Sequence, residues 1–382
     1  MRIAFAYDVA YPWHIGGIEA IDYREARELA KDHDVHFYTM RWPGMRARQA
    51  KDGILYHTFH NVSQEKLYRH GRRSVREAVA YAFGLFRMFG KRFDVVITDQ
   101  FPMLHLPILR LYCLLSRAKL IVQVAEVWDR RYWTSYLGRF GGIAHAFSRL
   151  AIRGADYYIA NSSETSDALE AIGINPNRIT VFSPVIDSEE LKEARSRFKG
   201  SNYKKVMFSG RFIKEKRIDK LLDAVAIASK KEPAMRATII GKGPEQARIE
   251  RIIHDKRLAN NVTLSGFYRK KGDFYREIME SSVMLHMSER EGLGIVAIES
   301  IALGTPVLLP DYSPMPREVK EMCMVVKEKE IPAMLVKMVR SGEKASFIKN
   351  VHNLDTFSTL RIRDVFSHIF SRIDAHGKVH KG

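Results

Sequence analysis

Short apolar runs rich in β-branched and aromatic residues alternate along the chain with segments whose apolar residues recur at helical spacing. In the first half, this pattern predicts strands at residues 2–7, 35–39, 54–58, 95–98, 120–124, 157–160 and 179–182. Between them it predicts helices that include residues 17–31, 74–89 and 143–153. Strands alternating with amphipathic helices are typical of a parallel sheet with helices on both faces. The first half is therefore predicted to be an α/β domain.

After Ser183 the alternation lapses into a charged stretch, which predicts a linker at residues 188–204. A second series of predicted strands follows, at residues 206–208, 237–240, 262–264, 283–287, 307–309 and 324–326. A last helical segment, residues 357–374, has an apolar face that could pack back on the first domain. A chain of 382 residues is also too long for one ordinary core.

The fold class predicted is therefore α/β, with two Rossmann-like doubly wound domains. They span residues 1–187, with the C-terminal helix 357–374 returning to that domain, and residues 205–356. Open α/β sheets bind ligands at the carboxyl ends of their strands, so we expect these edges to face a central cleft.

Composition narrows the class of protein. The 46% hydrophobic and 28% charged residues are those of a folded globular chain. Cys113 and Cys323 lie in separate apolar runs without a CxxC motif or nearby histidines, which argues against a disulfide framework or a zinc site. The N-terminal run reads as a strand and not as a signal peptide, and no apolar run is long enough to span a membrane. We expect a cytoplasmic location.

The net charge of +18 favours anionic partners. Nucleic acid, anionic lipid headgroups and phosphorylated acceptors all fit it, as do ordinary solvated basic faces. The basic segment 67–76, which runs into the predicted helix 74–89, leaves peripheral membrane contact on the cytoplasmic face open. The alternative is that this helix simply packs on the sheet.

The sharpest local pattern lies between residues 288 and 307. A predicted strand ends in a polar loop, Gly292, Leu293 and Gly294 follow, and a helix begins near residue 295. The free N–H groups and dipole of such a helix N-terminus favour an anion, so a diphosphate could lie there. Glu291 precedes this helix and Glu299 lies a little over one turn inside it, where each could accept hydrogen bonds from hydroxyl groups. Taken alone, the two glutamates are better explained as ordinary helix acids.

Three further strand-to-helix loops carry residues suited to a nucleotide. Their candidate binding residues are Arg211, Lys216, Gly241, Gly243, Phe267 and Tyr268. Arginine and lysine bind phosphate oxygens, the glycines admit close backbone approach, and the aromatic pair suits a nucleobase. Gly241 and Gly243 lack the third glycine of a dinucleotide-binding fingerprint.

These motifs in this order resemble the retaining glycosyltransferases of family 4, which have the GT-B fold, and the resemblance covers nearly the whole chain. Glu291 and Glu299 match the family's Glu-x7-Glu motif, and Gly16 and Gly17 are similar to its glycine-rich first loop. The resemblance implies that Gly16 and Gly17 face the donor phosphates. It also implies diphosphate binding by Arg211 and Lys216, ribose binding by Glu299, and a base region at Phe267 and Tyr268. Glu291 would contact the transferred sugar and is a predicted catalytic residue.

The resemblance further implies the reaction and its partners. A nucleotide diphosphate sugar, UDP- or GDP-linked, would be the co-substrate, and a glycan or lipid-linked molecule the acceptor. Retention of anomeric configuration is implied, and no cofactor or obligatory metal is expected.

The chain departs from the family pattern after the predicted strand 120–124. The family commonly has a histidine followed by an acid here, whereas this chain has Ala125 and Glu126. Glu126 could take over the polar contact near the transferred sugar as a catalytic residue, or it could turn away and pair with Arg130 or Arg131.

Three other functions stay open from the sequence. Ala125 fits a degenerate protein that only binds nucleotide sugar or a polyanion. A nucleotide-sugar epimerase could share the fold, and the positive charge would suit a DNA-modifying transferase. The sequence contains no recognised DNA-binding module, so nucleic acid is not an expected partner.

Overall fold

The computed structural model describes residues 1–14, 16–69, 72–198, 204–268 and 270–379. It divides into two compact units: unit 1 comprises Met1–Pro184 and Thr359–Gly382, and unit 2 comprises Val185–Ser358. Each unit is built around a largely parallel sheet with its own apolar core. The predicted pair of Rossmann-like domains is confirmed.

Unit 1 contains an eight-stranded sheet within the described residues. The first ten strands of the chain are β1 Arg2–Ala6, β2 Asp34–Arg41, β3 Arg48–Lys51, β4 Ile54–Asn61, β5 Tyr68–Arg69, β6 Arg72–Arg73, β7 Val95–Asp99, β8 Lys119–Val124, β9 Tyr157–Ala160 and β10 Ile179–Val181. The sheet order is β10-β9-β8-β7-β1-β2-β4-β3, with only β3 antiparallel to its neighbour among these strands, while β5 and β6 form a separate short pair. The central strands are apolar on both sides, as strands covered by helices on both faces must be.

Seven helices precede the unit boundary in the described chain. They are α1 Gly17–Leu29, α2 Gln64–Leu67, α3 Val75–Gly84, α4 Leu106–Ser116, α5 Arg130–Leu137, α6 Gly141–Ile152 and α7 Ser163–Ala171. Strand order reverses between β1 and β7, because β2 lies on the other side of β1. Since parallel crossovers are right-handed, α1 lies on one face of the sheet while α3, α4 and α6 lie on the other. On that second face, α3 packs beside α4 and α4 beside α6.

Unit 2 has a wholly parallel six-stranded sheet in the order β13-β12-β11-β14-β15-β16. Its strands are β11 Lys205–Ser209, β12 Arg236–Ile240, β13 Val262–Ser265, β14 Val283–Leu285, β15 Val307–Pro310 and β16 Met324–Val326. Its helices are α8 Ser188–Ser196, α9 Ile218–Lys231, α10 Gln246–Asp255, α11 Lys271–Glu280, α12 Ile295–Ala302, α13 Arg317–Lys320 and α14 Ile331–Ser341.

The stretch that we predicted as a linker begins with helix α8, which belongs to unit 2. Asp187 caps this helix by accepting hydrogen bonds from the backbone N–H groups of Glu189 and Glu190. Leu191 and Ala194 are buried, so the helix has an apolar side despite its charge. The unit boundary accordingly falls at Pro184, and residues 199–203 of the predicted linker lie outside the described residues.

The last helix, α15 Ile362–Val379, returns to unit 1 as predicted. Ile362, Phe366 and Ile369 are buried in the core of that unit, and the helix packs against α1. The predicted helix start at residue 357 is too early, because 3₁₀ helices Val351–Phe357 and Thr359–Arg361 precede α15. The other 3₁₀ helices are Leu85–Met88, Gly138–Phe140, Pro176–Arg178, Lys214–Lys216, Glu328–Glu330 and Lys344–Phe347. Among the described residues, no helix combines the length and the apolar character required to cross a bilayer.

Candidate functional site

In unit 2, the predicted site residues converge where the strand order reverses. β12 lies on one side of β11 and β14 on the other, so the loops after β11 and β14 run in opposite directions and leave a crevice. Arg211 and Lys216 lie in the loop after β11, and Glu291 lies in the loop after β14. The sheet topology thus brings residues 75 positions apart to one place.

Glu291 is the centre of a charged cluster in which His286 is buried and Lys216 and Glu291 are half-buried. Its Oε2 atom lies 2.6 Å from Lys216 Nζ and 2.8 Å from His286 Nε2. Burial alone would raise the pKa of Glu291, but the hydrogen bond and charge of His286, together with the charge of Lys216, lower it to about 2. Glu291 is therefore a carboxylate throughout the physiological pH range, and it can only accept hydrogen bonds.

His286 belongs to this cluster but was not among the site residues predicted from the sequence. It follows β14 within an apolar run that we predicted as strand core, and its side chain is only 5% exposed. Ser288 Oγ lies 3.3 Å from the same Nε2 atom, and Nδ1 is buried without a hydrogen-bond partner in the described structure. Because a carboxylate cannot donate, Nε2 must carry the proton that it shares with Glu291. A histidine five residues before Glu291, in a run of Val, Met and Leu, is the one signal that could have identified it.

The loops after β11 and β14 are tied together around this cluster. Arg217 pairs with Glu289 across the two loops and with Asp219 Oδ1 at 3.2 Å. The backbone N–H of Glu289 donates to the carbonyl of Glu215 at 2.9 Å. These contacts position Lys216, the last residue of the short 3₁₀ helix in the loop after β11. Arg211, at the start of the same loop, is exposed.

Gly241 and Gly243 are required by the packing of their loop on the loop after β11. Gly241 has φ +154°, and a Cβ atom there would lie 1.9 Å from the carbonyl oxygen of Gly210. A Cβ atom at Gly243 would lie 2.4 Å from the carbonyl oxygen of Phe212. Backbone hydrogen bonds join the loops, including one of 2.9 Å from Phe212 to Lys242. The packing of the two loops is therefore enough to require glycine at both positions, even without a ligand. The predicted binding role of Gly241 and Gly243 stays a prediction.

The helix after the second loop begins as predicted. Gly294, in the left-handed region at φ +79°, is the N-cap of α12 and provides no side-chain hydrogen bond to its N–H groups. Leu293 is buried beneath this turn and Gly292 is half-buried. In the described part of the chain, no N-cap side chain bonds the first-turn N–H groups of α12, an arrangement suited to an anion.

Glu299 has a different environment from Glu291. It is buried within α12, where its Oε1 accepts a hydrogen bond of 3.1 Å from Tyr275 and lies 3.6 Å from Lys271 Nζ. Lys271 also pairs with Glu190 at 2.5 Å, which connects α11 to α8. Burial excludes the alternative of an ordinary surface acid, but the role of Glu299 towards a ribose stays a prediction.

The two aromatic residues after β13 point to different surroundings. Phe267 is 52% exposed. Tyr268 is half-buried beside Phe274 and directs its hydroxyl to Glu277 Oε2 at 3.4 Å. Of the pair, Phe267 has the more exposed ring, and a base region at Phe267 and Tyr268 stays a prediction.

The remaining predicted residues lie in unit 1. Gly16 is the N-cap of α1 and Gly17 is its first residue. A Cβ atom at Gly16 would lie 2.0 Å from the carboxylate of Glu19, which in turn lies 3.1 Å from His14 Nδ1. A side chain at Gly16 would therefore require the Glu19 carboxylate to move.

Ala125 and Glu126 follow β8 directly. Glu126 Oε2 accepts a hydrogen bond of 3.0 Å from Trp128 Nε1, and its carbonyl accepts one of 2.6 Å from Gln100. Glu126 is half-buried, and its catalytic role stays a prediction. Within the described residues, no cluster of three or more His, Cys, Asp or Glu side chains is arranged to hold a metal ion.

Two doubly wound units, with a partly buried Lys-Glu-His cluster and a glycine-capped helix at the switch point of the second, define a protein of the GT-B class. Residues 15–190 match the family model described as Glycosyltransferase Family 4, and residues 189–344 match the model described as Glycosyl transferases group 1. The chain therefore belongs to glycosyltransferase family 4.

Curated relatives agree with this assignment. The chain is 28% identical to D-inositol 3-phosphate glycosyltransferase of Streptomyces bingchenggensis over 44% of this chain and 40% of the relative. It is also 28% identical to poly(glycerol-phosphate) alpha-glucosyltransferase of Bacillus subtilis, over 34% of this chain and 19% of the relative. The chain thus spans less than half the length of these relatives.

Solved structures share the fold. HepE of Anabaena in complex with UDP and glucose has a TM-score of 0.69 at 15% identity, covering 97% of this chain and 99% of HepE. Sucrose-phosphate synthase of Thermosynechococcus elongatus also gives 0.69 at 15% identity, covering 98% and 99% of the two chains.

Proposed function

We propose that the protein transfers a sugar from a nucleotide diphosphate sugar, UDP- or GDP-linked, to a glycan or lipid-linked acceptor with retention of anomeric configuration. Family membership supports this proposal. The observation that carries it is the Lys216-Glu291-His286 cluster beside the open N-terminus of α12. It pairs a site for anions with a fixed hydrogen-bond acceptor for sugar hydroxyls.

The roles follow from charge. Cleavage of the donor leaves negative charge on the departing diphosphate, which Arg211, Lys216 and the N–H groups of α12 would stabilise. Glu291, kept ionised by its neighbours, would accept hydrogen bonds from hydroxyls of the transferred sugar. His286 would hold Glu291 in place before substrate binds, while Lys216 would turn from Glu291 to a phosphate oxygen.

Arginine and lysine can neutralise the diphosphate, so we propose that no metal ion is obligatory. Transfer should then persist in excess EDTA. Activity that EDTA abolishes and Mg²⁺ or Mn²⁺ restores would contradict this part of the proposal.

Thermal-shift screening with UDP-, GDP-, ADP- and dTDP-sugars tests the donor class, because a ligand that binds the native state raises its melting temperature. Arg211→Ala should lower the affinity for the stabilising donor about ten- to hundred-fold, as expected for a lost charge-assisted contact of ~1.5–3 kcal/mol. Lys214→Ala, which removes an exposed charge from the same loop, is the matched control. Equal affinities for the two variants in calorimetry would remove Arg211 from the site.

NMR of freshly formed product tests the stereochemistry. The anomeric signal should correspond to the configuration of the donor sugar. The opposite anomer would overturn retention without affecting the assignment of the donor site.

A second candidate function is nucleotide-sugar binding without transfer, and Ala125 at the position of the family's histidine favours it. Glu126→Gln and Ala125→His separate the two functions. Loss of transfer in Glu126→Gln with unchanged donor binding would support a catalytic role for Glu126. A gain of transfer in Ala125→His would instead indicate a weakened or repurposed transferase.

A further inference from the structure

Three adjacent helical segments of unit 1 carry apolar side chains that face solvent. They are α3 with the following 3₁₀ helix Leu85–Met88, α4, and α6 with the preceding 3₁₀ helix Gly138–Phe140. Together they hold ten of the seventeen large hydrophobic side chains that are exposed among the described residues. These ten are Val75, Val79, Phe83, Phe86, Leu111, Leu114, Leu115, Phe140, Ile143 and Leu150. We call this surface the basic apolar face.

The exposed residues are not scattered. Val75, Val79 and Phe83 recur every four residues along α3 and continue to Phe86, which forms one stripe. On the opposite side of the same helix, Tyr81 and other residues are buried against the sheet. α4 repeats the arrangement, with Leu111, Leu114 and Leu115 outward and Leu109, Tyr112 and Cys113 inward; in α6, Ile143 and Leu150 face outward and Ile152 is buried.

A helix that is apolar on both sides is normally buried on both sides. Here the inward sides already complete the core of unit 1, so the outward sides do not contribute to folding. A continuous exposed apolar surface of this kind marks a contact with a partner or a membrane.

The charged residues of the basic apolar face indicate that it contacts a membrane and not a protein partner. Its three segments contain five arginines, namely Arg76, Arg87, Arg110, Arg139 and Arg149. Their single acid, Glu77, is buried and bonded to His60 at 2.6 Å. Arginines lie beside the apolar residues, as where the guanidinium of Arg139 covers the ring of Phe140. Apolar side chains among arginines, without exposed acids, are the composition of surfaces that lie in the headgroup region of anionic membranes.

We propose that the basic apolar face docks on the surface of an anionic lipid bilayer. The aromatic and leucine side chains would enter the boundary between headgroups and acyl chains, while the exposed Arg76, Arg87 and Arg139 would bind lipid phosphates. Arg110 is half-buried and pairs with Asp156 at 3.3 Å. A second copy of the chain is a poor occupant, because a two-fold contact would place the five arginines of one copy against those of the other. The proposal stands on this surface alone and does not depend on the proposed transferase activity.

Vesicle flotation tests the proposal. The full-length protein should float with vesicles of equal parts phosphatidylcholine and phosphatidylglycerol, and it should not float with phosphatidylcholine alone. A triple variant, Phe83→Ser with Leu114→Ser and Ile143→Ser, should bind the anionic vesicles at least about tenfold more weakly. It removes three exposed apolar side chains that would insert into the membrane. The matched control, Ile227→Ser with Val351→Ser and Leu360→Ser, removes three hydrophobic side chains of comparable exposure elsewhere and should bind like the parent.

Melting temperatures and sedimentation separate membrane docking from misfolding of the variants and from dimerisation. Both triple variants should keep the parent's melting temperature, since all six side chains are exposed. Equal vesicle binding by the two triple variants, or equal flotation with neutral and anionic lipid, would overturn the proposal. So would sedimentation of the parent as a dimer that the face variant converts to a monomer, because the face would then join two copies of the chain.

Discussion

At the scale of single residues, the state of Glu291 depends on two neighbours of different kinds. Lys216 offers a mobile charge that a bound diphosphate could also attract, whereas His286 is buried and fixed. If Lys216 turned to a phosphate oxygen, His286 would remain as the group that holds the carboxylate in place. His286 therefore positions Glu291.

We predict that His286→Gln weakens donor affinity about tenfold and shifts the acidic limit of donor binding to higher pH. Glu291 has a lowered pKa in the folded protein, so it stays ionised until the pH falls towards 2. Loss of the imidazole removes the first of the contacts that lower this pKa, which then rises. Calorimetric titration of the donor between about pH 4 and 7 measures the shift.

His254→Gln is the control, since His254 is exposed and contacts only its neighbour Asp255 among the described side chains. If His286→Gln and His254→Gln have the same pH profile as the parent, His286 does not position Glu291.

The buried acid Glu25 of α1 gives a second prediction at this scale. Burial, opposed by a hydrogen bond from Gln123 and increased by the charge of Asp99, raises its pKa to about 8. The folded state therefore holds a proton that the unfolded state releases above its ordinary pKa of 4.5, so stability falls as the pH rises from about 4.5 to 8. Glu25→Gln should flatten this dependence and raise stability at pH 8 by on the order of a few kcal/mol.

Urea unfolding at about pH 5 and 8 measures the effect. Glu28→Gln is the matched control on the same helix, because Glu28 pairs with Lys31 at the surface at 2.7 Å. An unchanged pH dependence in Glu25→Gln would show that Glu25 is ionised in the folded protein.

Sequence reasoning selected Lys216 and Glu291, which the fold brings into contact, because lysine and glutamate in strand-end loops are recognisable as polar residues in polar surroundings. It missed His286 because a histidine within an apolar run looks like part of a strand core. The contact of His286 with Glu291 forms because the loop after β14 turns back towards the strand, and only the folded backbone shows that turn.

At the scale of elements, the site of unit 2 is built by loops packed on one another. Gly241 allows the loop after β12 to touch the loop after β11, backbone against backbone. The order of the strands places both loops at one edge. A side chain at this contact would displace Arg211 and Lys216 together.

We predict that Gly241→Ala destabilises the protein by about 2–4 kcal/mol and lowers donor affinity, because the new methyl group meets a carbonyl oxygen that cannot move alone. Gly272→Ala is the control: a Cβ atom there meets nothing within 4 Å, and the residue lies in α11. That change should raise stability by roughly 0.5–1 kcal/mol. Thermal unfolding with and without donor measures both effects. A Gly241→Ala protein as stable as the parent would mean that the two loops are not tightly packed.

Most strands and the glycine-capped helix α12 could be predicted, because their apolar runs and stop signals are local. Helix α8 could not be predicted, because its sequence is mostly charged and only a few of its residues form an apolar side. Asp187 followed by Glu189 and Glu190 was a cap signal in the sequence that the linker interpretation overlooked. The pattern of apolar residues also could not predict which strands are neighbours in each sheet, because strand order depends on contacts between residues far apart in sequence.

At the scale of the whole molecule, the predicted site residues divide unequally between the units. Arg211, Lys216, Glu291 and Glu299 belong to unit 2, which is one continuous piece of chain with its own sheet and core. Unit 1 needs both ends of the chain, because α15 completes its core. Alternation of strands and helices was sufficient to predict two domains, whereas the boundary at Pro184 required the contacts themselves.

We predict that residues 185–358, expressed alone, fold and bind the nucleotide of the donor within about tenfold of the affinity of the full chain, a difference of ~1.4 kcal/mol. The reason is that the residues assigned to the diphosphate and ribose, and the loops that position them, lie within this segment. The fragment should not transfer sugar, because Glu126 and the first glycine-rich loop belong to unit 1. Calorimetry with UDP and GDP measures the affinity, and circular dichroism establishes that the fragment is folded. The same fragment carrying Arg211→Ala is the control and should lose affinity by the same factor as the full-length variant. A folded fragment that binds neither nucleotide would place a major part of the binding energy in unit 1.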